Sequence, residues 1–206
     1  MEDIYKSLDH YSRFPGHSPA YVDKMMHAIP PALSVSRETF ILERCAAKRV
    51  VNFGSTGDLH HLHERISEVA ASNFGVDKDG SPDLRVDLDD QHYSLFHLPM
   101  ADVYVVGEVI EHLMNPGHFL RRLCFVMRNE GAEGCELIIT VPNAMSSHLM
   151  PMAVRTGFEC VNRDHVAWYS YRTLRTLIER CGFELMEFYW YGGQPITAEG
   201  IIFVVK

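Results

Sequence analysis

Positive charge is in short supply in this chain. Nineteen lysines and arginines stand against twenty-seven aspartates and glutamates, giving a formal net charge of -8. That balance argues against the basic face needed to hold a phosphate backbone, so no broad nucleic-acid binding is expected. Long apolar runs are missing too. No stretch approaches the roughly 18 uninterrupted apolar residues of a membrane span. The opening "MEDIYKSLDHYSRF" also lacks the basic-then-apolar layout of a secretion signal. A soluble, cytoplasmic protein is the expectation. Cysteines are few, odd in number and without a CxxC pair: Cys45, Cys124, Cys135, Cys160 and Cys181. They read as free thiols in a reducing compartment, not as disulfides or zinc ligands.

Glycine is scarce where it would count most. "VVNFGSTGDLHH" has the layout of a strand, a turn and a helix start, the local architecture of a nucleotide or nucleoside site. Yet only Gly54 and Gly57 are present, and Ser55, Thr56 and Asp58 fill the remaining turn positions. The segment does not supply GxGxxG, which disfavours a nicotinamide-dependent oxidoreductase.

What the chain does contain is apolar residue enough for one core. Its 206 residues are 47% hydrophobic, and a single domain over residues 1–206 is expected. Histidine is abundant, with twelve in all. The cluster His60, His61 and His63 opens a predicted helix, where neighbouring positions point in different directions and only His60 and His63 share a face. It reads as a solvated helix surface, and no metal is expected.

From about Val50 onward, short apolar runs alternate with amphipathic segments, which predicts a parallel sheet with helices on both faces. The strands are placed at Arg49 to Phe53, Ala71 to Val76, Asp102 to Val106, Glu136 to Val141, Phe183 to Tyr191 and Ile201 to Val205. Helices are predicted over Asp58 to Val69, from Pro116 through Met127, and from a cap at Ser170 to Gly182. Gly192, Gly193 and Pro195 leave no room for a helix between the last two strands, so these form an antiparallel hairpin. Residues 1–48, with short helices near Tyr21 to His27 and Arg37 to Ala46, read as a helical lid on the 49–206 core.

In such a sheet the ligand lies beyond the carboxyl ends of the strands. Asp77 ends the second strand, 23 residues after Gly54, where an acid can accept both hydroxyls of a ribose. Lys78 stands beside it. Asp87 and Leu88, in "RVDLDD", suit the amino group and apolar face of a purine. "ADVYVVGEVIEHLMNPGHFLRRL" then gives a strand, a Gly107-Glu108 turn, Ile110-Glu111-His112 and a proline-led helix. "ELIITVPN" and "DHVAWYSYRTLRTLIERCGFELMEF" follow in that order.

With these motifs the chain resembles the class I S-adenosylmethionine-dependent methyltransferases, in particular the small-molecule branch with the ubiquinone-biosynthesis type enzymes. The resemblance runs from about Val50 to the carboxyl terminus. It implies a Rossmann-like, seven-stranded, mostly parallel α/β sheet with helices on both faces and an antiparallel C-terminal β-hairpin. It also implies S-adenosyl-L-methionine as cofactor and S-adenosyl-L-homocysteine as product. The loop Asn52, Phe53, Gly54, Ser55, Thr56, Gly57 would wrap the methionine part, Asp77 would hold the ribose, and Gly107, Glu108, Val109 and His112 would pass the sulfonium. The first motif is degenerate: the family has an acid where Asn52 stands and glycines near Thr56 and Asp58.

The acceptor that the resemblance implies is a small molecule methylated on oxygen, nitrogen or carbon by in-line displacement. His165 is the first candidate base and His112 the second, since histidine titrates near neutrality. The acceptor pocket is expected between the lid, with Tyr11, Arg13 and Tyr21, and an insert over about residues 144–164 that carries Met145, His148, Met150, Met152 and Phe158. Asn143, Trp168 and Tyr169 complete its wall, and Arg13 or Arg163 suits an acidic acceptor. A homodimer is compatible with this arrangement. The altered first loop supports one alternative, a catalytically inactive methyltransferase-fold protein acting as a binding or partner subunit.

Overall fold

In the computed structural model the described residues are 29, 32–57, 61–90, 92–95 and 97–206. Residues Pro31–Lys206 form one compact unit. Its frame is a sheet of β1 (Ser34–Val35), β2 (Arg49–Phe53), β3 (Ser72–Asp77), β4 (Leu84–Arg85), β5 (Val103–Gly107), β6 (Glu136–Pro142), β7 (Leu185–Tyr191) and β8 (Gly200–Val205). The strand order is β1-β7-β8-β6-β5-β2-β3-β4. All pairings are parallel except those of β8, which runs antiparallel to both β6 and β7.

The expected terminal hairpin is therefore present, while the sheet has eight strands in place of seven. The difference lies at its edges, where β1 and β4 are two residues each. Neither is long enough to leave a period in the sequence. The central strands β2, β5 and β6 are largely apolar; the four residues after Arg49 in β2 are all buried, as expected for a parallel strand covered on both faces.

The helices are α1 (Arg37–Cys45), α2 (Leu62–Val69), α3 (Pro116–Glu130), α4 (Leu149–Thr156) and α5 (Tyr171–Arg180). Phe40, Ile41 and Cys45 of α1 and Leu62 and Ile66 of α2 pack with Val50, Val103, Val105, Ile138 and Ile202 in one core cluster. Helix α1 is thus part of the core layer and not a lid. Phe119, Leu120 and Leu123 of α3 and Leu174 and Ile178 of α5 are fully buried as well.

Local signals set the helix starts. Asn115 accepts a hydrogen bond from the His118 amide ahead of Pro116, and Ser170 and Thr173 form a reciprocal capping box. Helix α2 begins at Leu62, later than the expected Asp58, after His61 in left-handed backbone (φ 53°); residues 58–60 lie outside the described residues. So do Tyr11, Arg13, Tyr21 and the helix expected near Tyr21 to His27. Among the described residues no helix is long and apolar enough to cross a membrane.

The chain moves outward from β2 through β3 to β4, then returns to place β5 on the other side of β2. The switch point lies between β2 and β5, and the loops leaving these strands meet there. A Cβ on Gly54 (φ +74°) would lie 2.7 Å from Cγ2 of Val109, so the two loops approach as closely as glycine allows.

Candidate active site

Asp77 closes β3 and is held by three backbone amides. Thr56 N–H donates to Oδ2 at 2.8 Å, and the Lys78 and Asp79 amides donate to Oδ1 at 2.7 and 3.2 Å. Burial works to raise its pKa, but these hydrogen bonds prevail and hold it below the usual carboxylate range. Thr56 also donates through Oγ1 to the Asp79 carbonyl, which ties the first loop to the β3 turn. Ser55 Oγ is buried without a partner, and a Cβ on Gly57 would meet nothing within 4 Å. Asp87 accepts the Asp89 amide through one oxygen, and Leu88 is buried beside it. These features fit an adenosyl group: an acid for the ribose, an orphan hydroxyl and open space in the first loop, and an acid beside an apolar wall.

Two of the predicted loop residues face elsewhere. Asn52 is buried, with Nδ2 3.2 Å from Nδ1 of His63, so its side chain engages α2. Phe53 meets Phe119 edge-on in the core. Of the histidine cluster, His60 lies outside the described residues, the exposed His61 lies against Glu64, and His63 is part-buried between Asn52 and Asn73 and not on a solvated surface.

A three-residue helical turn, Ile110–His112, follows β5. The segment bearing His165 docks on this turn through the backbone, because the Val166 and Ala167 amides both donate to the Glu111 carbonyl at 2.8 and 3.2 Å. That pairing brings His165 to His112, with ring centroids 4.6 Å apart and the rings perpendicular. Glu111 lies with them: one ligand atom from each of Glu111, His112 and His165 falls within 4.8 Å of the others.

Glu111 is the residue that sequence reasoning missed. It is 1% exposed, and neither of its carboxylate oxygens has a hydrogen-bond partner. Burial, and after it the charge of Glu108, push its pKa from 4.5 up to about 8. Burial and then His112 lower that of His165, favouring the neutral ring that binds metal ions. A buried acid with two bare oxygens beside two imidazoles is a donor set for a divalent cation. The available signal was the spacing Glu108, Glu111, His112, two acids and an imidazole on one tight turn.

Two residues assigned to the acceptor wall serve the framework. Asn143 is 1% exposed; its Nδ2 donates to the Ile196 and Ala198 carbonyls at 2.8 and 2.9 Å, and its Oδ1 accepts the Met145 amide at 3.0 Å. All of its side-chain bonding therefore goes to backbone. Tyr169 is buried and donates to the Ile110 carbonyl at 3.4 Å. Trp168 is 42% exposed, and His148 lies exposed just ahead of α4.

No family model matches the chain, and no curated protein resembles it significantly in sequence. Solved structures resemble it in fold. The small RNA methyltransferase HEN1 superposes with a TM-score of 0.60 at 16% identity, covering 88% of this chain and 27% of that one. A SAM-dependent methyltransferase from Archaeoglobus fulgidus gives 0.57 at 15% identity, covering 82% and 94%. One from Clostridium acetobutylicum ATCC 824 gives 0.56 at 10%, covering 82% and 89%. The chain has the class I SAM-dependent methyltransferase fold. It corresponds to about a quarter of HEN1 and to nearly the full length of the other two. The Asp77 loop follows β3 and the Glu111 cluster follows β5, both at the carboxyl ends of parallel strands.

Proposed function

We propose that the chain is a SAM-dependent methyltransferase that O-methylates a small hydroxyl-bearing acceptor beside a divalent cation held by Glu111, His112 and His165. The observation that carries this reading is the buried carboxylate of Glu111, with both oxygens unpartnered between two imidazoles. Asp77, Asp87 and Leu88 would hold the adenosyl part of SAM, and the methionine part would run along residues 53–57.

When bound, the cation stabilises an acceptor oxyanion and SAM supplies a methyl group already activated on sulfur. The protein's own task is placement: Glu111, His112 and His165 fix one end of the acceptor, while Asp77 fixes the methyl donor. Holding reactants in line contributes up to about 7–11 kcal/mol in favourable cases. His165 then acts as a ligand in place of the base suggested by sequence; the acceptor hydroxyl, acidified by the cation, would release its proton to solvent, and its oxygen would bond to the methyl carbon as the carbon–sulfur bond breaks and S-adenosylhomocysteine leaves. An oxygen acceptor is favoured over nitrogen or carbon because carboxylate and imidazole sites hold cations that bind oxygen well.

A second reading takes RNA as acceptor, since HEN1 is a small RNA methyltransferase and a ribose offers hydroxyl oxygens. The net charge of -8 favours the small molecule. Calorimetric titration with SAM and S-adenosylhomocysteine, with and without Mn2+, tests the enzyme reading. Binding of both ligands is expected. No heat at millimolar cofactor with folded protein would leave the inactive binding subunit as the better description.

A further inference from the structure

Arg37, the first residue of α1, reaches the carboxyl ends of β5 and β6. Its Nε donates to Oγ1 of the fully buried Thr140 at 3.1 Å and lies 4.0 Å from Oε1 of Glu108. Thr140 donates in turn to that Glu108 oxygen at 2.9 Å, and Tyr191 at the end of β7 donates to it from 2.8 Å. The Tyr191 ring flanks the guanidinium, its centroid 6.0 Å from Cζ. The Nε side of Arg37 is thus fixed by β6, β7 and the turn after β5. Glu108 takes its hydrogen bonds from the two hydroxyls and meets Arg37 only at the longer distance.

The other edge of the guanidinium is bare. Among the described residues, neither Nη1 nor Nη2 of Arg37 has a hydrogen-bond acceptor, although the side chain is only 21% exposed. Nη2 lies over Gly107 at the end of β5. A Cβ at Gly107 would stand 3.1 Å from Nη2 and 3.8 Å from Cδ2 of Leu62, the first residue of α2. The bare edge therefore sits where the first loop runs into α2 and meets the end of β5, and the missing side chain at 107 leaves it room.

A partly buried guanidinium with two unmet amino groups favours an anion, and Nη1 and Nη2 together present the paired geometry that matches the two oxygens of a carboxylate. The first loop, "NFGSTGD" from Asn52 to Asp58, contains no cation, so a carboxylate lying along it must find its countercharge on another element. Lys78 is exposed and stands beside Asp77, at the ribose end of the cofactor path. We infer that the Nη edge of Arg37 binds the α-carboxylate of the methionine part of SAM and of S-adenosylhomocysteine, fixing the end of the cofactor opposite to Asp77. The inference rests on the SAM reading proposed above and deepens it, since that reading gives the methionine part a path and no charged partner.

Calorimetry on the full chain compares S-adenosylhomocysteine with S-adenosyl-3-thiopropylamine, which keeps the adenosyl and amino groups and lacks the carboxylate. Wild type should bind S-adenosylhomocysteine at least about tenfold more tightly. Arg37→Gln should weaken S-adenosylhomocysteine by about 10- to 100-fold and leave the decarboxylated analogue within about threefold of wild type, which also shows that the variant's site is folded. Arg37→Lys keeps the charge, loses the paired geometry and should fall between the two. Asp77→Ala, by contrast, should weaken both ligands alike. If Arg37→Gln binds S-adenosylhomocysteine as wild type does, or weakens both ligands equally, the carboxylate assignment is overturned and the cofactor reading stands. If wild type binds neither ligand, both fall.

Discussion

Replacing Glu111 by glutamine in metal-free protein should remove a pH-dependent loss of stability. In the folded state, burial raises the Glu111 pKa from 4.5 to about 8. The folded protein therefore holds a proton that the unfolded chain has released across that window. The unfolded state binds fewer protons there, so stability falls as pH rises from about 4.5 to about 8 and levels off above. One pH unit corresponds to about 1.4 kcal/mol, so the full displacement costs up to about 5 kcal/mol, of which about 3 kcal/mol is already felt at pH 7. Glutamine is close in shape and does not titrate. Its unpartnered amide costs a constant amount, which leaves the slope as the diagnostic quantity. Urea denaturation of both proteins in chelator at pH 5, 6.5 and 8 measures it. The difference in unfolding free energy should move in favour of Glu111→Gln by about 1 kcal/mol or more per pH unit. Added Mn2+ should stabilise wild type by about 2.7 kcal/mol at a hundredfold excess over Kd and leave the variant unchanged. Parallel pH curves for the two proteins would refute the claim that Glu111 is a buried, uncompensated acid.

Three further perturbations probe other parts of the molecule. Asp77→Ala should weaken SAM binding at least about tenfold, the loss of a charge-assisted hydrogen bond; an unchanged calorimetric Kd would move the ribose site elsewhere. Asn143→Leu removes the side chain that joins residues 145, 196 and 198. It should cost about 2–4 kcal/mol in urea unfolding, because buried backbone groups lose their partners, and a cost below about 0.5 kcal/mol would contradict that role. Gly54→Ala combines a left-handed φ of +74° with a 2.7 Å approach to Val109. A destabilisation of at least about 1 kcal/mol is expected, together with weaker SAM binding; a variant as stable as wild type would show that the β2 and β5 loops separate freely.

Much of the sheet was legible because its inner strands are buried on both faces, so their apolar runs stand out from the amphipathic helices between them. β2, β5 and β6 begin or end within a residue of their expected places for that reason. The two-residue edge strands have no such run, and helix α1 carries core residues at only three of nine positions, which made it resemble a lid. In the site, Asp77 and His165 were visible as polar residues ending or preceding apolar segments. The function of Glu111 was hidden because its significance comes from what it lacks: hydrogen-bond partners. Only the docking of residues 166 and 167 on the Glu111 carbonyl shows that the His165 segment closes over it. Asn143 misled for the opposite reason, since a polar residue at the end of a central strand has the same sequence appearance whether it binds a ligand or three backbone groups.

The same accounting bears on the altered first loop. An ionised carboxylate offers about four lone-pair positions. At Asp77 three are taken by the amides of Thr56, Lys78 and Asp79, one of them from the loop in which glycines are replaced. A ribose diol that donates twice to Asp77 therefore requires one of these amides to withdraw. Thr56 is the one that can, because its residue lies in the loop next to Gly57, where a Cβ would find open space, while the Lys78 and Asp79 amides belong to the turn that Asp77 itself caps. The hydroxyl of Thr56, bonded to the Asp79 carbonyl, holds the loop in its closed position and opposes that withdrawal. In the proposed methyltransferase, Thr56 would thus act on SAM affinity through the loop's anchorage to Asp77 and the β3 turn.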